Sequence, residues 1–220
     1  MLSDLWPAYG LRITTPRLQL RLPTEAEIVQ LAELAGRGVH RPDEQPFLTP
    51  WTDGSPLDRA RTVLRWHWEA LADWSVEDWS LGLGVFSEDG RPLGKVSLRA
   101  KDFPVVREVT TSSWLGLPHH GQGYGTEARL GLLELAFGHL GAQFALTEVF
   151  QDNHASQAVS RKLGYQPDGI SRDARGDEVL VSDRLRLTRD RWSQLDRPRV
   201  LVEGVDACRQ LFEPVPVEDQ

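Results

Sequence analysis

A single cysteine, Cys208, stands among 220 residues, so the chain forms no internal disulfide and no cysteine-rich metal site. That usage fits a reducing compartment, and Cys208 itself reads as a small buried apolar side chain. Long apolar runs are missing too: nothing in the chain is apolar for long enough to cross a bilayer. The opening MLSDLWPAYGLRITT lacks the basic stretch and apolar core of a secretory leader. These absences predict a cytoplasmic protein with no membrane partner and no bound metal. Excess positive charge is also lacking. A formal net charge of -7 opposes nonspecific binding to nucleic acid and favours cationic partners such as amines. There is no internal repeat. With 40% hydrophobic residues, the length suits one good core and an appended tail.

Apolar and polar residues alternate through ITTPRLQLRL, which predicts a half-buried strand at about 13–22 after a disordered start. Thr24 with Glu27 three residues on is a capping-box pattern, and Ile28, Leu31 and Leu34 recur at helical spacing until Gly36. A proline-rich loop then leads to a second helix from near Leu57. Its apolar face is set by Val63, Leu64, Trp68 and Leu71, with Trp66 and His67 partly outside it. Two strands joined at Glu88-Asp89-Gly90 form a hairpin. A further strand at about 107–117 runs into HHGQGYGTEAR, and a helix at 125–140 ends at Gly141. A strand near 143–150, a short helix near 154–163 stopped by Gly164, and strands near 165–170 and 178–187 complete the order. Residues 193–220 read as a C-terminal extension that packs back on the core, adds an edge strand or covers a second copy, and ends in a disordered acidic tail.

Three alternating glycines between a strand and an amphipathic helix mark a phosphate site. Glycine admits positive φ and close approach, while first-turn N–H groups have no partner within the helix and the helix dipole favours an anion. No lysine follows these glycines, which excludes the nucleotide P-loop. Gly123, Gly125 and Ala128 do satisfy G-x-G-x-x-A, with Glu148 near the place of a ribose-binding acid, so a nicotinamide-dependent oxidoreductase stays open by spacing. Its context is wrong, because that fingerprint follows the first strand of a domain and this one lies behind a hairpin. Acyl-coenzyme A needs the same amide cradle for its pyrophosphate, and its pantetheine amides can pair with an exposed strand edge. NHASQAVSRKLGY places Asn153 and Ser156 at a helix entrance after the next strand, within reach of a ligand passing between the two strands.

With these residues in view, 11–192 resembles the GNAT superfamily of acyl-coenzyme A N-acyltransferases. Within it the chain is similar to the Rim-type enzymes that acetylate ribosomal-protein N-termini. The resemblance rests on ITTPRLQLRL, on H-x-x-G-x-G at His120, Gly123 and Gly125 followed by TEAR, and on N-x-x-S-x-x-V-x-x-K-L-G-Y from Asn153 to Tyr165. His120 stands where the family motif begins with Gln or Arg. The resemblance implies an α/β (α+β) fold with a mixed, mostly antiparallel seven-stranded sheet, split between its fourth and fifth strands and flanked by helices. It further implies acetyl-coenzyme A or another acyl-coenzyme A as cosubstrate, a homodimer, and a cofactor site built from Leu115, Leu117, His120, Gly121, Gln122, Gly123, Tyr124, Gly125, Thr126, Asn153 and Ser156. Pyrophosphate would lie on the amides of Gln122–Thr126, and pantetheine on the backbone of Leu115 and Leu117.

Amide formation from a thioester needs a neutral amine, a donor to the carbonyl oxygen and an acid for the leaving thiolate. No covalent intermediate is required, so direct attack in a ternary complex is expected. Ser156 is the acid that the resemblance selects, with Tyr165 and Tyr124 as the nearby tyrosines. Glu108 is the candidate base, with Glu148, His119 and His120 as weaker ones. The acceptor, a primary amine of a protein N-terminus, a lysine or a small molecule, would meet the 37–56 loop, the second helix with Trp66 and His67, and the strands near 170–187. Trp51 and Trp66 are its candidate lining, and ordinary core packing is the competing reading. A donor ending in a carboxylate, such as succinyl-coenzyme A, needs a cation near the thioester, and Arg129, Arg161 and His120 are those closest in sequence. A protein that binds acyl-coenzyme A without turnover, as a sensor or scaffold, is the alternative.

Overall fold

The computed structural model describes residues 1–213, and the tail read above as disordered lies outside the described residues. A short helix α1 (Leu2–Leu5) and a 3-10 turn at Pro7–Gly10 open the chain. The expected disordered start is thus folded: Ala8 and Leu11 are buried, and the ring of Trp6 meets Trp74 edge-on at 5.9 Å. Next come β1 (Arg12–Thr14) and β2 (Leu18–Arg21), α2 (Glu25–Arg37), α3 (Pro56–Ala72), and the hairpin of β3 (Asp78–Ser87) and β4 (Pro92–Lys101). A helical turn α4 (Phe103–Val106) precedes β5 (Glu108–Leu115). Then follow α5 (Tyr124–Leu133), continued as a π-helix over Glu134–His139, β6 (Phe144–Phe150), α6 (His154–Lys162), β7 (Gln166–Arg175) and β8 (Glu178–Thr188). The described chain closes with α7 (Arg189–Ser193), β9 (Leu201–Glu203) and α8 (Val205–Cys208).

The nine strands of the described residues join one sheet in the order β7-β8-β6-β5-β4-β3-β2-β1-β9. Seven strands were expected, and two local causes supply the others. The run at 13–22 divides because Pro16 has no N–H for a ladder, and Thr15 Oγ1 takes the Leu18 N–H at 3.1 Å, turning the chain into a hairpin. The C-terminal segment adds β9 antiparallel to β1. Beyond it Val205, Cys208 and Phe212 are buried in the main core. Phe212 meets Trp79 at 4.9 Å and Trp74 at 5.5 Å, and Trp74 Nε1 donates to the Leu211 carbonyl at 2.8 Å.

Alternation sorts the sheet's side chains into two cores. Val85, Val96, Val109 and Leu115 pack with the apolar face of α5, while Phe86 and Trp114 pack with α2 and α3. The capping box of α2 forms as its sequence predicts. Gly36 lies inside that helix rather than ending it, because an added Cβ would sit 2.9 Å from the Pro56 carbonyl oxygen of the crossing α3. The α3 face differs from the expected one. Val63 and His67 are buried and Trp66 packs on the second core, whereas Trp68 is 58% exposed. The i, i+4 stripe of Val63, His67 and Leu71 faces the sheet, so the helix is rotated from the phase set by its largest apolar residues.

Two outcomes follow. Phe212→Ala should lower unfolding stability by about 3–5 kcal/mol, the usual cost of emptying a buried aromatic site, as read by urea denaturation. Glu27 accepts from Arg21 and from both the backbone and side chain of Thr24, and these contacts hold its carboxyl down to about 2. A carboxylate lowered in the folded state stabilises above its unfolded pKa and loses that contribution as pH falls through the folded value. The stability gap between wild type and Glu27→Gln should therefore be full at pH 7 and shrink below about pH 4.5, in denaturation curves taken across that range.

Candidate active site

Parallel pairing between β5 and β6 covers three positions, Glu108 with Phe144, Val109 with Ala145 and Thr110 with Leu146. Past Thr110 the strands part, while β5 stays paired to β4 through Leu115 and β6 stays paired to β8 through Phe150. The facing edges of Thr111–Leu115 and Thr147–Phe150 are left open to each other. In an antiparallel ladder alternate residues turn both backbone groups toward one neighbour. Gly116 N–H donates to Leu93 O at 2.9 Å on the β4 side, so by alternation Thr111, Ser113 and Leu115 turn theirs into the cleft. His120 Nε2 lies 3.0 Å from the Leu115 carbonyl oxygen, which requires its proton on Nε2. Leu117 departs from the expectation. It lies in a 3-10 turn and its N–H donates to the Gly38 carbonyl at 3.0 Å, so this donor is already engaged.

The glycine loop closes one end of the cleft. Gly121 and Gly123 hold φ of 74° and 83°, and Gly123 is the N-cap of α5. An added Cβ at Gly121 would meet nothing within 4 Å, so its glycine answers to backbone conformation rather than crowding. Among the described residues, no acceptor meets the N–H groups from Gly121 to Thr126. Six free amides at a helix start form a concave donor array for a diphosphate. Arg17 and Glu127, which sequence reasoning left out of the site, brace this loop. Glu127 accepts from Thr15 Oγ1 at 2.7 Å, from Arg17 N at 2.8 Å and from Arg17 Nε at 2.7 Å. Arg17 also donates to the Gln122 carbonyl at 3.1 Å and stacks 4.7 Å from the Tyr124 ring centroid. Their signals were present as T-x-R-L in the first strand and T-E-A after the last glycine, but only the fold brings them together. Beside the loop lies a cavity of ≈ 360 Å³ walled by Gly123, Thr126, Lys162, Leu195 and Pro198.

At the opposite edge, Asn153 caps α6, its side chain accepting from Ser156 N at 3.0 Å. Ser156 is half-buried, and among the described residues nothing engages its hydroxyl. Tyr165 is 3% exposed within the main core, where burial raises its pKa. Glu108 is set apart from these residues. Its carboxylate pairs with Arg186 at the closed end of the split, and Arg186 also pairs with Asp168 at 3.0 Å. Of the weaker base candidates, Glu148 is exposed on β6 and His120 is exposed in the loop, while burial lowers the pKa of His119.

On the α2/α3 side, Trp51 meets Trp66 at 5.6 Å and Trp114 at 6.0 Å. This aromatic cluster is largely core, as the competing reading had it. Beneath α3 lies Lys95, 8% exposed and pushed down to about 8 by burial. His67, 5% exposed, is held at about 4 by burial and by the Lys95 charge.

The geometry is one that several solved proteins share. The chain aligns with a Gcn5-related N-acetyltransferase from Brucella melitensis at 17% identity and a TM-score of 0.64, covering 83% of this chain and 80% of that one. An acetyltransferase of the GNAT family from Bacillus anthracis aligns at 13% identity and 0.59, over 81% and 99% of the two chains. RimL, a ribosomal-protein α-N-acetyltransferase solved with coenzyme A, aligns at 15% identity and 0.58, over 79% and 95%. At these identities the likeness establishes the fold. Residues 17–166, well over half of the sequence, match the acetyltransferase (GNAT) domain family, and the chain belongs to it.

Proposed function

We propose that this protein transfers an acyl group from acyl-coenzyme A to a primary amine by direct attack within the split of its sheet. The observation that carries this reading is the pairing of an open β5 edge with a run of free amides at the start of α5. Pyrophosphate lies on the amides of Gly121–Thr126, and the pantetheine arm adds to the cleft-facing backbone of Ser113 and Leu115 as an extra strand would. The adenosine end reaches the cavity beside Lys162, walled by the C-terminal segment. In this reading 11–192 form the acyltransferase domain, and 193–213 are an extension of it that is packed into its core.

Holding both reactants in one cleft supplies much of the rate. The acceptor nitrogen attacks the thioester carbon, and a backbone N–H turned into the cleft, Ser113 or Leu115, steadies the developing oxyanion. Ser156 stands at the α6 entrance with its hydroxyl free and delivers a proton to the departing thiolate. Tyr165 turns its hydroxyl toward Thr111, and its pKa is raised by burial, so the acid role falls to Ser156. Glu108 serves as the anchor of the Arg186 and Asp168 network rather than as the base. Asn153 keeps Ser156 in place through the cap. The acceptor enters across the α2/α3 side and belongs to the primary amines, with a protein N-terminus, as for the Rim-type enzymes, the leading member. A homodimer and a cytoplasmic setting accompany the family resemblance. No helix among the described residues is long and apolar enough to cross a membrane.

Thiol release across a panel of amines and N-terminal peptides tests the reading, and NADH-only stabilisation in a thermal-shift assay would sink it. Ser156→Ala should lower kcat about 10²-fold with little change in the KM for acyl-coenzyme A, the scale of a lost general acid. Glu108→Gln should leave the pH profile of turnover unchanged. A loss of activity confined to low pH would restore Glu108 as the base.

A further inference from the structure

Acetyl transfer leaves one group near the cleft without a task. Arg129 projects from α5 into the interior and keeps 5% of its surface. Its Nη1 donates to Ser160 Oγ at 3.2 Å, and its Nε is buried with no acceptor. Among the described residues no carboxylate pairs with it. Two further polar atoms nearby share this condition: the hydroxyls of Tyr165 and Thr111 are buried and unpartnered. The Tyr165 hydroxyl faces Thr111 without completing a well-formed hydrogen bond, and the guanidinium lies near enough to Tyr165 for its charge to act on the phenol.

The location gives this cluster its meaning. Thr111 is the first β5 residue past the pairing with β6. Ser160 Oγ donates to the Ser156 carbonyl at 3.0 Å, which ties the cluster to the first turn of α6. Arg129 therefore lies under the point where the strands part, between the β5 edge and the helix that carries Ser156. It is five residues along α5 from Tyr124, about 7.5 Å inward from the diphosphate cradle at the usual rise per residue.

A buried guanidinium is tolerated when an anion and further hydrogen bonds complete it. The neutral hydroxyls supply no counter-charge. An acetyl methyl group offers nothing to a cation, and the pyrophosphate is held at the far end of the loop. A carboxylate at the end of the acyl chain would meet the donors that stand unpaired there: Arg129 Nε and the hydroxyls of Thr111 on β5 and Tyr165 just after α6.

We propose that the acyl subsite takes a donor whose acyl group ends in a carboxylate, a dicarboxylic monothioester of coenzyme A of the succinyl kind, with Arg129 binding that carboxylate and Tyr165 and Thr111 donating to it. This rests on the acyltransferase reading. The reaction is otherwise unchanged. The C–N bond forms as the C–S bond breaks, the amine gives up a proton, the thiolate gains one, and the distal carboxylate passes intact into the amide product.

Calorimetric titration of the full chain with succinyl-coenzyme A, acetyl-coenzyme A and free coenzyme A needs no knowledge of the acceptor. Succinyl-coenzyme A should bind the wild type at least about tenfold more tightly than acetyl-coenzyme A, as a charge-assisted pair warrants. Arg129→Gln should bring that ratio toward one, and Arg129→Lys should restore part of it. Should Arg129→Gln fail to fold by circular dichroism, Tyr165→Phe is the second variant, and its ratio should also fall. Equal affinities in the wild type, or a ratio unmoved in the folded variants, would overturn the proposal while leaving acyl transfer intact. Binding of none of the three ligands would remove the acyltransferase reading with it.

Discussion

Three residues of parallel pairing, Glu108 to Thr110 against Phe144 to Leu146, hold the two halves of this sheet together, and everything at the candidate site depends on their stopping there. Extended further, the ladder would satisfy the backbone groups of Thr111, Ser113 and Leu115 and leave no edge for a ligand. Ended sooner, the halves would lose the Glu108–Arg186 pair that clamps the closed end. The sheet tolerates the opening because β4 and β8 still pair the outer edges of the parting strands. Helices α5 and α6 cover the gap from one side, and each begins at its open end, so both N-termini reach the same ligand path.

A second constraint is the position of the glycine loop, which follows from one carboxylate. Glu127 gathers the Thr15 hydroxyl, the Arg17 backbone and the Arg17 guanidinium, fastening α5 to the turn between β1 and β2. That turn exists because Pro16 interrupts the first strand. A cation is thereby brought beside Gly123 without being spent on it, since Arg17 answers to Glu127 and to the Gln122 carbonyl. The loop's own amides stay free for an anion. Two other cations are buried. Lys95 beneath α3 and Arg129 beneath α5 lie on opposite sides of the sheet, each without a carboxylate partner among the described residues, and lost hydration lowers the pKa of each.

How far the fold was legible varied with the kind of signal. The Thr24 and Glu27 box, the Gly90 hairpin, and the stops at Gly141 and Gly164 are local, and each appears where its residues placed it. The helix α3 shows the limit of periodicity. Trp66 and Trp68 flank His67 and make the helix pattern ambiguous, and packing against Phe86 and Trp114 buried His67 in place of Trp68. The C-terminal segment was read as an extension that packs back on the core, and it does so closely, with Phe212 set edge-on against the stacked rings of Trp74 and Trp79.

The sequence by itself determined the family, the order of the long elements from α2 to β8, and the two motifs that flank the ligand path. Those are short-range properties: a glycine that must take positive φ, an asparagine that caps the next turn, apolar residues at one period or another. Only the tertiary structure decided which polar groups were already engaged. Leu117 and Glu108 are residues of suitable type at plausible positions, yet Gly38 holds the amide of one and Arg186 the carboxylate of the other. In the sequence Arg129 stood level with Arg161 and His120 as a cation near the thioester, and only the fold buries it beside β5 and α6 with no acid for a partner among the described residues. Hydrogen bonds and charges are balanced across contacts far apart in the chain, and so the free donors that define the candidate site can be counted only once it has folded.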